Sequence, residues 1–235
     1  MDPAHLKALN AARGRRRAAI LVTDLTGDGD RLVFEGEDVS GALGEAVAQH
    51  FLSGKAGSVE INDRHYFLNV YLPPPRIVVI GAVHISQALA PMAVLADFDV
   101  TIIDPRTAFA TPERFADVEL IADWPQDVLL QRPLDRYSAL VAVTHDPKID
   151  DPAIVAALKA HCFYVGALGS RKTHAKRVER LMTAGFGPEQ IGVISAPIGL
   201  DIGAATPAEI GVAVLADIIR AFRRRTLATS TGTAS

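Results

Sequence analysis

The chain has 235 residues, of which 49% are hydrophobic, and its 24 Lys and Arg against 27 Asp and Glu leave a formal net charge of -3. The apolar fraction suffices for a sizeable core, and the charge balance excludes the basic surface typical of nucleic-acid-binding proteins. No apolar run reaches the ~20 residues that cross a bilayer, and the N-terminus has no signal-peptide pattern, so we expect a cytoplasmic protein without membrane or nucleic-acid partners. A single cysteine, Cys162, excludes an intrachain disulfide.

Residues 1–75 are predicted to form a small α+β domain that ends in a linker. Three consecutive prolines at 73–75 remove backbone N–H donors and stiffen the chain, which is typical of a linker. Before them, helical periodicity and strand-like alternation of apolar residues indicate a mixed unit. The expected elements are helices at about 3–14 and 39–52 and strands at 18–22, 31–34 and 65–71.

From residue 76 the pattern changes to short apolar runs separated by helix-length segments. This pattern is typical of a parallel sheet covered by helices on both faces. We therefore predict a Rossmann-like, mostly parallel, doubly wound α/β domain over residues 76–225, followed by a disordered tail at 226–235. The predicted strands are the runs 77–80, 100–103, 120–121, 139–143, 163–168 and 193–194.

Three helices of this domain have clear sequence signals. Asp151 and Thr206 each precede a proline and are predicted to cap a helix, and Glu209 completes a capping box with Thr206. The third helix is expected at about 173–184. Its inward side chains are predicted to be Ala175, Val178, Leu181 and Met182, with Lys176, Arg177, Glu179 and Arg180 facing outward.

Ligands of such sheets bind beyond the carboxyl ends of the strands, so the loops there hold the candidate site residues. Gly81 stands where a dinucleotide-binding fold has its glycine-rich turn, but Val83 and Ser86 replace the other two glycines, which disfavours ordinary NAD binding. His84 follows at the start of a helix, where its imidazole can face the ligand. A local capping or packing role is the alternative for His84.

The next two strand ends carry polar groups. Asp104 lies 23 residues after Gly81, which is close to the spacing at which an acidic residue accepts a hydrogen bond from a ribose hydroxyl. Arg106 follows it and can hold a phosphate. A simple turn at Asp104 is the alternative. The fourth strand leads into Thr144, His145 and Asp146, which are predicted to contact a polar ligand. A metal ion is disfavoured there because no second histidine stands at a ligand spacing.

The segment 169–172 (Gly169, Ser170, Arg171, Lys172) is predicted to bind phosphate or a similar anion. It combines a flexible glycine, free N–H groups at a helix start and two cations. An ordinary helix cap at Ser170 is the alternative. The last candidates, in a glycine-containing loop at 195–203 expected to cover a ring system or face a partner, are Pro197, Gly199 and Asp201.

Taken in order, these segments resemble the XdhC/CoxI family of accessory proteins for molybdenum hydroxylases such as xanthine dehydrogenase. The resemblance extends over about residues 77–222. The blocks that carry it are GAVH at 81–84 with ALAP at 88–91, DPR at 104–106 with FATPERF at 109–115, THD at 144–146, GALGSR at 166–171, and APIGLDIG at 196–203 running into TPAEI at 206–210.

The resemblance implies a chaperone rather than a catalyst. Such a protein binds the molybdenum cofactor, protects its sulfurated form and passes it to the hydroxylase, with a cysteine desulfurase as a second partner. Family members often carry cysteine in a longer N-terminal domain, whereas this chain has no thiol before Cys162. The first domain is thus open to roles in homodimerisation or docking.

Two other functions remain open from the residues alone. One is an NAD(P)-dependent oxidoreductase that uses Asp104 for the ribose and His145 as the acid–base group. The other is a regulatory domain that senses a nucleotide without chemistry.

Overall fold

The computed structural model describes residues 2–27 and 29–224, so the predicted tail at 226–235 lies outside the described residues. Within them the chain divides into a first unit, residues 2–73, and a second unit, residues 74–224.

The first unit is a four-stranded antiparallel sheet with the strand order β2-β1-β4-β3 and two helices. Sequence analysis predicted all of its elements except β3, an edge strand that pairs with β4 and has no fully buried residue. The helices are α1 (Pro3–Gly14) and α2 (Gly41–Ser53), and the strands are β1 (Ala19–Asp24), β2 (Asp30–Phe34), β3 (Gly57–Ile61) and β4 (Arg64–Tyr71).

The second unit confirms the predicted Rossmann-like fold. Its six strands are all parallel and have the order β10-β9-β8-β5-β6-β7, which is the dinucleotide-binding order 3-2-1-4-5-6 read from the opposite edge. The strands are β5 (Arg76–Ile80), β6 (Asp99–Ile103), β7 (Glu119–Ile121), β8 (Ser138–Ala142), β9 (Tyr164–Ala167) and β10 (Ile194–Ser195).

Helices cover both faces of this sheet. Along β5, Ile77 and Val79 pack on one side in a cluster with the helices at 84–95 and 207–224, while Val78 and Ile80 pack on the other side with the helices at 125–131, 147–159, 171–183 and 188–192. Strands buried on both faces need continuous apolar runs, which explains why the sequence pattern located them. The helices are α3 (His84–Leu95), α4 (Pro125–Gln131), α5 (Pro147–Lys159), α6 (Arg171–Thr183), α7 (Pro188–Gly192) and α8 (Pro207–Arg224).

The start of α5 differs from the prediction. The helix begins at Pro147, and its N-cap is Asp146, whose side chain accepts a hydrogen bond from the Lys148 N–H. Pro152 lies within the helix rather than at its first position. Both Asp-Pro pairs carry the same local signal, and the upstream pair starts the helix directly after β8. By contrast, the capping box of α8 is confirmed, since Thr206 and Glu209 exchange hydrogen bonds.

The inward face of α6 also differs from the prediction. Arg177 is buried with 2% exposure beside the buried Leu181, whereas Ala175 is exposed and Met182 is 53% exposed. The helix is thus rotated relative to the predicted face. Charged side chains are seldom fully buried without a partner, so the pattern placed Arg177 outside.

Candidate functional site

The site lies where β5 and β8 end, at the point where the strand order reverses and a crevice opens at the carboxyl edge. Gly81 directly follows β5 and has φ +119, and a Cβ there would lie 2.9 Å from the Thr144 Cγ2 atom. Only glycine permits both this conformation and this approach. The loops after β5 and β8 therefore meet directly.

Asp104 holds the Gly81 turn in place. Its carboxylate is fully buried, accepts the Ala82 N–H at 2.8 Å, and forms a two-pronged ion pair with Arg106 at 2.9 and 2.8 Å. Both oxygens are therefore engaged within the protein. This arrangement makes Asp104 a positioning residue and does not offer the free carboxylate that the NAD(P) alternative requires for a ribose.

Two arginines fix the loop after β6 against the same turn. The Arg106 guanidinium stacks over the Phe109 ring at 4.7 Å. Arg114 donates to the Ala82 and Phe109 carbonyl oxygens at 3.0 and 2.8 Å, and to the Gln87 side chain at 2.8 Å. Arg114 carries no local signal that would mark it as a site residue, and its role follows from these contacts.

The predicted cluster after β8 separates into two roles. Thr144 donates its hydroxyl to the Asp150 Oδ1 atom at 2.7 Å and accepts the Asp146 N–H at 3.0 Å, while Asp146 caps α5. These groups organise the helix start. His145 has φ +64 and is exposed, so its side chain projects away from these internal contacts.

The predicted anion segment also serves partly as a cap. Gly169 has φ +136, and the Ser170 hydroxyl accepts the Thr173 N–H at 3.2 Å, so the ordinary capping role of Ser170 is present. Arg171 and Lys172 are both exposed, but only Lys172 lines the nearby cavity.

This cavity, the α5–α6 cavity, has a volume of about 260 Å³. Cationic side chains dominate its wall, and Asp150 is the one acidic residue that the described part of the chain contributes to it. Among the cations, Arg180 is already paired with Asp151. The lining residues are His145, Pro147, Asp150, Lys172, Thr173, Lys176, Arg177 and Arg180.

Two buried ionisable side chains of the cavity wall, Arg177 and Asp150, have incomplete hydrogen bonding. The Arg177 side chain is 3% exposed and donates through Nη2 to the Leu168 carbonyl oxygen at 3.1 Å. Within residues 2–27 and 29–224, its Nε and Nη1 atoms and the Asp150 Oδ2 atom have no hydrogen-bond partner, and Asp151 Oδ1 lies 4.0 Å from Nε. Burial raises the pKa of Asp150 and lowers the pKa of Arg177.

The loop at 195–203 is anchored on α8. The Ser195 hydroxyl donates to the buried Asp217 carboxylate at 2.7 Å, and the Leu200 N–H donates to the Ala213 carbonyl oxygen at 3.1 Å. Gly199 has φ +86 and approaches the α8 backbone closely. The other two predicted residues of this loop, Pro197 and Asp201, are exposed.

The structure thus brings together some of the predicted residues and separates others. Gly81, Asp104, Arg106 and Thr144 meet at the crevice, and His145 and Lys172 line the α5–α6 cavity. His84 is exposed at the start of α3 and does not line this cavity. Across the described part of the chain, no three His, Cys, Asp or Glu side chains are grouped to hold a metal ion.

The Rossmann unit matches a known family. The family model described as the XdhC Rossmann domain matches residues 77–218, more than half of the chain. The chain belongs to the XdhC family. Among curated proteins, it is 32% identical over 159 residues to a probable xanthine dehydrogenase subunit of Bacillus subtilis, covering 67% of this chain and 46% of that protein.

Two further relatives extend the XdhC comparison. The chain is 28% identical over 148 residues to "Molybdenum cofactor insertion chaperone PaoD" of Escherichia coli, covering 63% of this chain and 40% of PaoD. A crystal structure described as a xanthine dehydrogenase from Bacillus halodurans aligns with a TM-score of 0.64 and 25% identity, over 97% of this chain and 66% of that one. The chain spans less than half the length of both curated relatives.

In this XdhC-family protein the sequence pattern assigned Lys172 to the site but left Lys176 and Arg180 on the outer face of α6, although a signal was available. Lys172, Lys176 and Arg180 recur at every fourth residue, which places them along one face of α6. The acidic residue opposite, Asp150, precedes α6 by more than 20 residues in sequence. Only the tertiary structure shows that α5 and α6 face each other across the cavity.

The only thiol of this XdhC-family protein is predicted to be unreactive. Burial raises the pKa of Cys162 to about 12, so the thiolate required for sulfur chemistry is scarce at pH 8. We expect a disulfide reagent such as DTNB to react at least ~10³-fold more slowly with the native protein than with the protein unfolded in guanidinium chloride. Similar rates in the two states would contradict this expectation.

Proposed function

We propose that this protein binds the molybdenum cofactor and delivers it to a molybdenum hydroxylase of the xanthine dehydrogenase type. The observation that carries the proposal is the location of a cation-lined cavity beside the crevice at the carboxyl edge of an XdhC-family Rossmann sheet. The pterin part of the cofactor bears a phosphate, and nucleotide-bearing forms bear a pyrophosphate. A wall with Lys172 and Lys176 suits this anionic end.

The crevice at the sheet edge and the α5–α6 cavity would each bind a different part of the cofactor. The Gly81 turn packs against Thr144 at the switch point, the edge of the sheet where ligands of such folds bind. His145 belongs to the loop after β8 and also lines the cavity, so it connects the two regions. The relative PaoD is named a molybdenum cofactor insertion chaperone, and this name supports the same role.

The proposal includes two protein partners, the recipient hydroxylase and a cysteine desulfurase. We place the delivery in the cytoplasm, with a cysteine desulfurase as the source of sulfur for the cofactor, since Cys162 is not suited to supply it. The first unit is a candidate surface for homodimerisation or for docking the hydroxylase. None of the helices in the described ranges is both long and apolar enough to cross a membrane.

Copurification tests the proposal. The full chain is isolated from cells that synthesise the cofactor, and the extracted pterin is identified by fluorescence and mass. We expect bound pterin, and we expect the protein to raise the activity of a coexpressed xanthine dehydrogenase. The Lys172→Ala, Lys176→Ala double variant should retain less pterin than the wild type by a factor of about ten or more, because two charge-assisted contacts are removed.

A matched double variant on the other helix ends provides the control. Lys159 lies at the end of α5 and Arg223 at the end of α8, and neither lines the cavity. Their replacement by alanine should leave pterin retention unchanged. Pterin-free wild-type protein that also fails to raise hydroxylase activity would refute the proposed function.

A further inference from the structure

We infer that the α5–α6 cavity is a subsite for a phosphate monoester, which binds to the buried guanidinium of Arg177 and the carboxyl group of Asp150. The inference starts from Arg177. Its side chain is 3% exposed, lines the cavity, and has two N–H-bearing atoms, Nε and Nη1, without a hydrogen-bond partner in the chain as described. Buried donors left without acceptors are unfavourable, and a planar guanidinium matches two oxygens of a phosphate.

Asp150 supplies the complementary group. Its Oδ1 atom accepts the Thr144 hydroxyl, while the buried Oδ2 atom has no partner among the described residues. Burial raises the pKa of Asp150, which favours the neutral acid. A neutral carboxyl group has an O–H to donate, and a phosphate oxygen can accept it. An anion held by Arg177 would favour that protonated form further.

The rest of the wall provides attraction without closing the cavity. Lys172 and Lys176 line it and are exposed, so they can draw an anion inward while remaining hydrated, and the exposed His145 lines it as well. Arg180 contributes less because it is already paired with Asp151. The net charge of the wall is therefore positive around one protonatable carboxyl group.

The size of the cavity limits what it can hold. Sites that enclose whole drug-sized ligands have volumes of about 300–1,000 Å³, whereas this cavity measures about 260 Å³. It suits the phosphate end of a larger ligand whose remainder lies outside, toward the crevice. Identifying that ligand with the molybdenum cofactor rests on the proposed function, but the phosphate site itself does not. Mass analysis of copurified ligand distinguishes a pterin from a nucleotide as the source of the phosphate.

This location shares only Lys172 with the segment 169–172 that the sequence pattern favoured. There the Ser170 hydroxyl is occupied by the Thr173 N–H, and Arg171 is exposed and outside the cavity wall. Arg177 lies almost two turns further along α6. The two locations make opposite predictions for Arg171 and Arg177.

Titration of the full chain with inorganic phosphate, followed by calorimetry, tests the inference. We expect the wild type to bind phosphate and Arg177→Met to bind it at least about tenfold more weakly, because a charged donor pair is lost. Arg132→Met is the matched control, since Arg132 is 54% exposed in a surface ion pair with Glu119 and lies outside the cavity wall. Its affinity should stay within twofold of the wild type.

Folding is checked by the unfolding midpoint without phosphate. Methionine removes a buried charge and fills similar space, so Arg177→Met is expected to fold. If it does not fold, Arg177→Lys keeps the charge and should retain part of the affinity. At position 150, Asp150→Asn should preserve phosphate binding, because the asparagine amide also has an N–H to donate. Asp150→Ala should weaken phosphate binding, because alanine has no donor. Tighter binding by Asp150→Ala would mean that the carboxylate only repels the anion.

Several outcomes overturn the inference. These are no binding of phosphate to the wild type, undiminished binding to Arg177→Met, or a loss with Arg171→Met in place of Arg177→Met. Pterin retention without phosphate binding would refute the subsite and leave the proposed function intact. Phosphate binding without pterin retention would leave the subsite intact and count against the proposed function.

Discussion

Replacing Asp104 by alanine is expected to lower the free energy of unfolding by about 3–5 kcal/mol and to release the Gly81 turn. The carboxylate is fully buried and accepts hydrogen bonds from the Ala82 and Arg106 N–H groups as well as from the Arg106 guanidinium. Alanine would leave these donors without an acceptor, and it would leave a partly buried guanidinium without its counterion. The large effect comes from the unpaired groups that remain.

This stabilisation depends on pH in a definite direction. Burial alone raises the pKa of Asp104, but the hydrogen bonds from Arg106 and Ala82 outweigh it and hold the pKa below its usual value. Because the folded pKa is lower than the unfolded pKa of about 3.9, the stabilisation is present above that pH and is lost as the pH falls through the folded value. The difference between wild type and Asp104→Ala should therefore shrink below about pH 4.

Urea unfolding at a series of pH values measures both effects. Asp123→Ala is the matched control, because Asp123 follows β7 at the same edge of the sheet but is exposed and accepts the N–H of the adjacent Trp124. The control should change the free energy of unfolding by about 0.5 kcal/mol or less. Equal losses in the two variants, or a pH-independent loss at Asp104, would show that the buried network contributes little.

Replacing Gly199 by alanine is expected to destabilise the Rossmann unit by about 2–4 kcal/mol. Gly199 has φ +86, and a Cβ there would lie 2.9 Å from the Ala213 carbonyl carbon and from the Val214 nitrogen. Both are backbone atoms of α8, so they cannot yield as a flexible side chain would. The loop at 195–203 must then shift away from the helix.

Gly203→Ala separates the two causes of this destabilisation. Gly203 also has a positive φ, +73, but a Cβ there would meet no atom within 4 Å among the described residues. Only the strain of the left-handed conformation applies to it, about 1–2 kcal/mol. We expect the midpoint of thermal unfolding to fall by about 2–4 °C for each kcal/mol lost.

Hydrogen exchange at the Leu200 amide measures the loop directly, because this N–H is bonded to the Ala213 carbonyl oxygen. It should accelerate strongly in Gly199→Ala and little in Gly203→Ala. Identical behaviour of the two variants would show that close approach to α8 is unimportant.

The hydrophobic pattern predicted the second unit well because its strands are buried on both faces. Continuous apolar runs such as Ile77 to Ile80 leave little choice of structure. The edge strand β3 was missed because none of its residues is fully buried, which weakens the pattern. The start of α5 was misplaced because two Asp-Pro pairs carry the same capping signal.

The parallel α/β architecture, the capping box of α8 and the family could be predicted from the sequence. These features depend on short-range periodicity and on motifs whose residues are close in the chain. The burial of Arg177 opposite Asp150 and the occupation of both carboxylate oxygens of Asp104 became apparent only in the folded chain. Hydrophobicity predicts that charged side chains lie outside, so a buried charge becomes visible only when distant segments are packed together.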